Sequence, residues 1–130
     1  MPIKVLAIDD EPAITKLLTL LLKKHGFEVV TANSGEEGIS LIQNFSPNVV
    51  ILDLMMPGMD GCQVCNAVRK FSNVPILIFS ALDSPGLVAS AMDAGADDYL
   101  VKPVSCGVLI AHVNKLAHRP KIRNKKGFKP

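Results

Sequence analysis

The sequence predicts a doubly wound α/β domain: a five-stranded parallel sheet with helices on both faces. Three observations carry this expectation. Short, apolar, strand-like segments recur from one end of the chain to the other. Between them the apolar spacing switches to a period of about 3.6 residues, that of a helix. Single helices between consecutive strands demand right-handed crossovers, which set the strands parallel and cover the sheet on both sides. At 130 residues, nearly half of them apolar, the chain has the size of one domain built around Val, Ile, Leu, Ala and Met.

The first strand is read at Ile3–Ile8. A helix follows, with Ile14, Leu17, Leu18, Leu21 and Leu22 sharing one apolar face, and His25-Gly26 ends it because glycine accepts the left-handed cap. Phe27–Thr31 is the second strand. The second helix starts at Ser34, whose hydroxyl caps it ahead of Glu36 and Glu37, and stops at Ser46-Pro47. The third strand runs Asn48–Leu54. A third helix spans Asp60–Lys70, with Val64, Cys65 and Val68 inward and Arg69 and Lys70 in its last turn. Pro75–Phe79 is the fourth strand, Ser84–Ala94 the fourth helix with Gly95 as its stop, and Asp97–Val101 the fifth strand. The only composition shift is the polar, basic stretch after His118, so residues 1–119 are expected to form the domain and 120–130 a basic tail or linker.

Charge is distributed unevenly. Six of the 14 basic residues, Arg119, Lys121, Arg123, Lys125, Lys126 and Lys129, stand at the C-terminal end, leaving eight bases against 12 acids in the body. An acidic body with a short basic tail argues against direct nucleic-acid binding, which needs Lys and Arg on an ordered face. The tail reads as a solvated linker. No apolar run approaches the roughly 20 residues of a membrane helix, and Met1-Pro2-Ile3-Lys4 enters a strand with no leader pattern. A cytoplasmic location, with no membrane association, is the expectation. Three cysteines, Cys62, Cys65 and Cys106, make a disulfide framework improbable in such a chain.

In a doubly wound sheet, ligands collect at the C-terminal ends of the strands. Those ends are polar here: Asp9, Asp10 and Glu11 follow the first strand, Asp53 closes the third, Ser80 follows the fourth and Lys102 the fifth. Three carboxylates at one rim repel one another unless a cation joins them. Mg²⁺ suits such oxygen donors and keeps waters for an incoming phosphate. Asp53 then serves as an oxygen nucleophile toward phosphorus, with Lys102 and the metal neutralising charge and Ser80 donating a hydrogen bond.

These segments also carry a family resemblance. Val5-Leu6-Ala7-Ile8-Asp9-Asp10-Glu11 resembles the acidic pocket of bacterial response regulator receiver domains. Val50 to Gly61, reading Val-Ile-Leu-Asp-Leu-Met-Met-Pro-Gly-Met-Asp-Gly, resembles their phospho-acceptor strand and loop. Ile78-Phe79-Ser80-Ala81 is similar to the switch strand, and Gly95-Ala96-Asp97-Asp98-Tyr99-Leu100-Val101-Lys102-Pro103 to the closing segment. The resemblance extends from Ile3 to about His118 and implies the flavodoxin-like receiver fold of two-component signalling. It implies that Asp53 takes a phosphoryl group from a sensor histidine kinase or phosphotransfer protein. It implies Mg²⁺ bound by the side chains of Asp10 and Asp53 and the Met55 carbonyl, with Asp9 acting largely through water. It further implies that Ser80 and Lys102 contact the phosphoryl oxygens, that Tyr99 changes rotamer with them, and that Lys102-Pro103 is a cis peptide. The domain is expected to act as a signalling module, at most catalysing its own phosphorylation and dephosphorylation, as a monomer or weak homodimer. Its output is expected to be a protein target or a further domain. Val88, His112 and Asn114 stand where relatives with a winged-helix output usually carry basic residues, which argues against a salt-bridged dimer.

Two readings from other classes compete. Cys62-Gln63-Val64-Cys65 at a helix start has the spacing of a redox pair, though Cys65 belongs to the inward stripe. A phosphatase would use the same Asp53 but needs a positioned acid or base, and His25, His112 and His118 fall on helix ends or faces away from the rim.

Overall fold

The computed structural model describes residues 2–119; the basic tail expected from 120 onward lies outside the described residues. Its elements follow the expected order: β1 (Lys4–Ile8), α1 (Pro12–Lys24), β2 (Glu28–Ala32), α2 (Gly35–Phe45), β3 (Val49–Leu52), α3 (Gly61–Val68), β4 (Ile76–Ser80), α4 (Pro85–Ala94), β5 (Asp98–Val101) and α5 (Cys106–Ala117). The five strands form one sheet in the order β2-β1-β3-β4-β5, every neighbouring pair parallel.

Both faces of the sheet are covered. Val5, Ala7, Val49, Ile51 and Leu77 pack under Leu18 and Leu22 of α1 and Leu109, Val113 and Leu116 of α5. Their strand neighbours Leu6, Ile8, Val50, Leu52, Ile76 and Ile78 pack under Ile42 of α2, Val64, Cys65 and Val68 of α3, and Ala91 of α4. Double coverage explains why β1 and β3 read as continuous apolar runs instead of alternating ones.

Local chemistry sets the helix ends. Ser34, Ser84 and Ser105 each accept a backbone N–H three residues on. Asp60 and Gln63 form a reciprocal capping box at the start of α3. Gly26, at φ 89°, closes α1, and Ser46 takes the left-handed conformation that ends α2. The Lys102-Pro103 peptide is cis.

Four details depart from the sequence reading. Leu17 is 61% exposed: Thr15, Leu18 and Leu22 face the sheet, and Leu17 lies on the flank. β3 ends at Leu52, because the chain turns away after Asp53 and the Leu54 carbonyl is taken by the N–H of Gly61. α3 ends at Val68, and Arg69 turns inward, with Nη2 2.9 Å from the fully buried carboxylate of Asp97. Arg119, counted with the basic tail, instead reaches the same carboxylate at 2.9 Å. One buried acid thus ties the ends of α3 and α5 to the start of β5.

Gly107 sits in the first turn of α5 with open space where a Cβ would project. Gly107→Ala is therefore expected to stabilise the fold by about 0.5 kcal/mol, by lowering the entropy of the unfolded chain. Urea unfolding of the two chains checks this.

Candidate functional site

The strand order reverses between β1 and β3, so the crevice at the C-terminal ends of these two strands is the topological switch point where such sheets bind ligands. Asp9 and Asp10 leave β1 there and Asp53 leaves β3. The Asp9 N–H continues the ladder to the Ala32 carbonyl at 3.1 Å, and the Asp53 N–H does so to the Ile8 carbonyl at 3.0 Å. Both acids are thereby fixed at the sheet edge. Carboxylate oxygens of Asp9, Asp10 and Asp53 lie within 4.8 Å of one another, a group able to hold a metal ion.

Lys102, immediately after β5, reaches into this cluster. Its Nζ lies 2.8 Å from Asp9 Oδ2 and 3.9 Å from Asp53 Oδ2, and stands 5.4 Å from the centre of the Phe79 ring. Both Asp9 oxygens have a protein donor, since the other one accepts the Glu11 N–H at 3.0 Å. Asp53 is looser, its Oδ1 accepting the Met55 N–H at 3.4 Å. Burial pushes the Asp53 carboxyl above its ordinary range. Lys102 opposes the rise, Asp9 adds to it, and hydrogen bonds from Met55 and Ser80 also oppose it.

Ser80 is the last residue of β4, not the first beyond it, and is fully buried. Its Oγ accepts the Leu82 N–H at 3.3 Å, and the Tyr99 hydroxyl donates to the Leu82 carbonyl at 2.6 Å. Tyr99 is half-buried against the core, so its hydroxyl already points toward the Ser80 strand end. Met55 is 61% exposed, and Leu82 is half-buried.

The structure therefore brings together Asp9, Asp10, Asp53, Lys102 and Ser80, with Tyr99 on their flank. The residues of the competing readings are unsuited to them. Burial pushes the Cys65 thiol up to about 12 and raises that of Cys62 as well, the reverse of what a reactive dithiol needs. His25 and His118 pair with carbonyls at the helix C-termini, at the opposite edge of the sheet. His112 binds Asp98.

Several participants escaped the sequence reading. Thr15 and Asn33 bond to one another, and Asn33 bonds to the Asp9 carbonyl. An Asn one residue before a helix cap reads as an ordinary turn residue, and Thr15 falls outside the apolar face read for the first helix. The Gly61 contact with the backbone of Asp53 was equally hidden, since a glycine after a capping Asp needs no such explanation.

No helix among the described residues is long and apolar enough to cross a membrane. Comparison with known proteins agrees with the geometry. Probable transcriptional regulator ycf27 of Guillardia theta is 45% identical over 116 residues, covering 89% of this chain and 46% of that protein. Transcriptional regulatory protein AfsQ1 of Streptomyces coelicolor is 39% identical over 115 residues, 88% of this chain and 51% of that protein. The chain thus spans about half the length of these curated relatives. Among solved structures, chemotaxis protein CheY4 of Vibrio cholerae superposes with a TM-score of 0.83 at 33% identity, over 89% of this chain and 99% of that one. The BeF3-activated receiver domain of Klebsiella pneumoniae RstA gives 0.85 at 30% identity, over 89% and 99%. The family model described as the response regulator receiver domain matches residues 5–114, so a sheet whose switch point gathers three aspartates and a lysine belongs to a member of that receiver family, a signalling module of two-component systems.

Proposed function

We propose that Asp53 accepts a phosphoryl group from the phosphohistidine of a sensor histidine kinase or phosphotransfer protein, and that Ser80 and Tyr99 convert this event into a change of binding face. The observation that carries this reading is the convergence of Asp9, Asp10, Asp53 and Lys102 at the switch point. A carboxylate oxygen of Asp53 attacks phosphorus, the bond from phosphorus to the donor nitrogen breaks, and the departing imidazole takes up a proton. An aspartyl phosphate remains. A carboxylate nucleophile carries no proton to be removed in the attack, so no general base is needed, in keeping with His25 and His118 bonding to carbonyls at helix C-termini and His112 to Asp98.

The donor set fits Mg²⁺: all ligands are hard oxygens, clustered closely enough to share one ion. Asp10 and Asp53 would hold it by their side chains and Met55 by its carbonyl, while Asp9, both of whose oxygens are occupied, would act through water. When bound, Mg²⁺ supplies neutralisation of the phosphoryl oxygens. Lys102 then shifts from Asp9 toward the group on Asp53, and Ser80 donates its hydroxyl to a phosphoryl oxygen. The movement of Ser80 toward that group draws its Oγ away from the Leu82 N–H, loosening the segment to which Tyr99 is anchored. Unchanged partner affinity in phosphorylated Ser80→Ala would count against the relay.

We place the end of the receiver unit at Arg119, which is anchored to Asp97. The longer relatives are named transcriptional regulators, so the output is a further domain or a separate protein target, not direct nucleic-acid binding by this acidic body. His112 is engaged within its own chain, which favours a monomer or weak homodimer over one held by salt bridges. We assign its place of action to the cytoplasm, where the catalytic parts of such kinases work.

Exposure of the wild-type chain and Asp53→Asn to Mg²⁺ and acetyl phosphate tests the proposal by intact mass. The wild type should gain the mass of one phosphoryl group and the variant none; equal gain in both would refute it. Phosphoryl lifetime provides a further expectation. Met55 and Leu82 flank the acceptor with apolar side chains that hinder a hydrolytic water, so Met55→Glu with Leu82→Gln should speed phosphate loss about tenfold, a barrier change of about 1.4 kcal/mol. Timed decay of the phosphorylated mass checks this.

A further inference from the structure

Asn33 lies between three elements that meet behind the acidic cluster. Its Nδ2 donates to the Asp9 carbonyl at 2.8 Å and approaches Thr15 Oγ1 at 3.2 Å. Thr15, buried in the first half of α1, in turn donates to the Pro12 carbonyl at 3.2 Å. The Asn33 backbone N–H is held by Glu37 Oε1 at 3.0 Å, and Glu37 is itself locked to the Ser34 cap. The side chain of Asn33 therefore supplies the next rung of the β1–β2 ladder after the last backbone rung, from the Asp9 N–H to the Ala32 carbonyl.

The Asp9 carbonyl belongs to the peptide that joins Asp9 to Asp10. Holding that oxygen fixes the plane of the peptide and hence the direction in which the Asp10 side chain leaves the chain. Asp10 is two residues beyond the strand, only half-buried, and has no rung of its own to orient it. A neutral amide donor is suited to this position, because it satisfies the carbonyl without adding charge to a cluster that must stay attractive to a cation.

We infer that Asn33, braced by Thr15, is a positioning residue that pre-sets the Asp9–Asp10 peptide for divalent-cation binding. The inference rests on the proposed receiver chemistry and assigns a role to two residues outside its direct contacts. Loss of such supporting bonds behind a metal ligand typically weakens metal affinity by about 10- to 100-fold. Because the ligand itself is retained, the defect should be one of affinity alone, with the chemistry intact once the cation is forced on.

The test is a Mg²⁺ titration by calorimetry on the wild-type chain, Asn33→Ala, Thr15→Val and Thr15→Ser, with acetyl phosphate labelling rates across Mg²⁺ concentrations. Asn33→Ala is expected to bind Mg²⁺ about tenfold more weakly, and labelling should return to the wild-type rate at saturating Mg²⁺. Thr15→Val, which keeps shape but removes the hydroxyl, should weaken binding, and Thr15→Ser should restore it. Wild-type affinity in both Asn33→Ala and Thr15→Val, or a labelling defect that saturating Mg²⁺ does not repair, would overturn the inference. A wild-type chain that neither binds Mg²⁺ nor becomes labelled would instead overturn the receiver chemistry itself, so the two failures are distinguishable.

Discussion

Lys102→Met is expected to lower stability at pH 7 by about 3 kcal/mol in the absence of divalent cation, because it strips the counter-charge from two buried carboxylates. Asp9 loses a partner at 2.8 Å and Asp53 one at 3.9 Å, with side chains only 3% and 9% exposed. The pH dependence follows from the direction of the Asp53 shift. Its carboxyl is already raised by burial, with Lys102 the largest opposing influence, so removing the ammonium raises it further. A carboxyl raised in the folded state costs stability as pH climbs from its unfolded value to its folded one. The deficit should accordingly shrink as pH falls toward the ordinary value of 3.8 and reach its full size above the folded-state value. Millimolar Mg²⁺ should restore part of it by supplying the missing positive charge. Phosphoryl uptake should fall about 100-fold even with Mg²⁺, since a charge aimed at the transferred group is lost. Chemical denaturation across pH, with and without Mg²⁺, separates these effects; a deficit independent of pH and cation would show that Lys102 contributes packing only.

Gly61→Ala should be nearly as damaging by a different route. A Cβ at Gly61 would stand 2.6 Å from the Asp53 carbonyl oxygen and 2.8 Å from the Leu54 Cα. Both neighbours are backbone, and Asp53 is tied to β1 through the Ile8 carbonyl, so no flexible side chain can yield. The substitution is expected to cost about 3 kcal/mol, at the upper end of overpacking. The same contact would push the acceptor loop outward, and a displacement of about 1 Å at a reacting group costs on the order of 100-fold in rate. Equilibrium unfolding and acetyl phosphate labelling of Gly61→Ala measure the two effects. A stable, fully reactive variant would mean that the α3 start is free to slide.

The fold was legible because its punctuation is local. Ser34 and Gly26 act within three or four residues of where they stand, so cap chemistry located the start of α2 and the end of α1 before any tertiary contact was known; Asp60 and Ser84 prove to cap α3 and α4 in the same local way. What escaped was long-range. Arg69 and Arg119 look like ordinary charges at helix ends, yet both are drawn to the one buried carboxylate of Asp97. Leu17 fits an apolar stripe, but the stripe of α1 is wider than the face the sheet covers. At the site, residue types and strand ends sufficed to gather Asp9, Asp10, Asp53, Ser80 and Lys102. They did not reveal that Lys102, 93 residues from Asp9, sits closer to that acid than to Asp53. Nor did they reveal the support behind the cluster, because Asn33 acts on the Asp9 carbonyl, and a carbonyl partner leaves no trace in residue type.

The most direct measurement is reductive trapping. The wild-type chain, incubated with Mg²⁺ and acetyl phosphate and then treated with borohydride, carries homoserine wherever an aspartyl phosphate had formed, and tandem mass spectrometry of its peptides reads the position. Homoserine in place of Asp53 alone is the expected result. Homoserine at Asp9 or Asp10, or a phosphoryl group retained on a histidine with Asp53 unaltered, would contradict it.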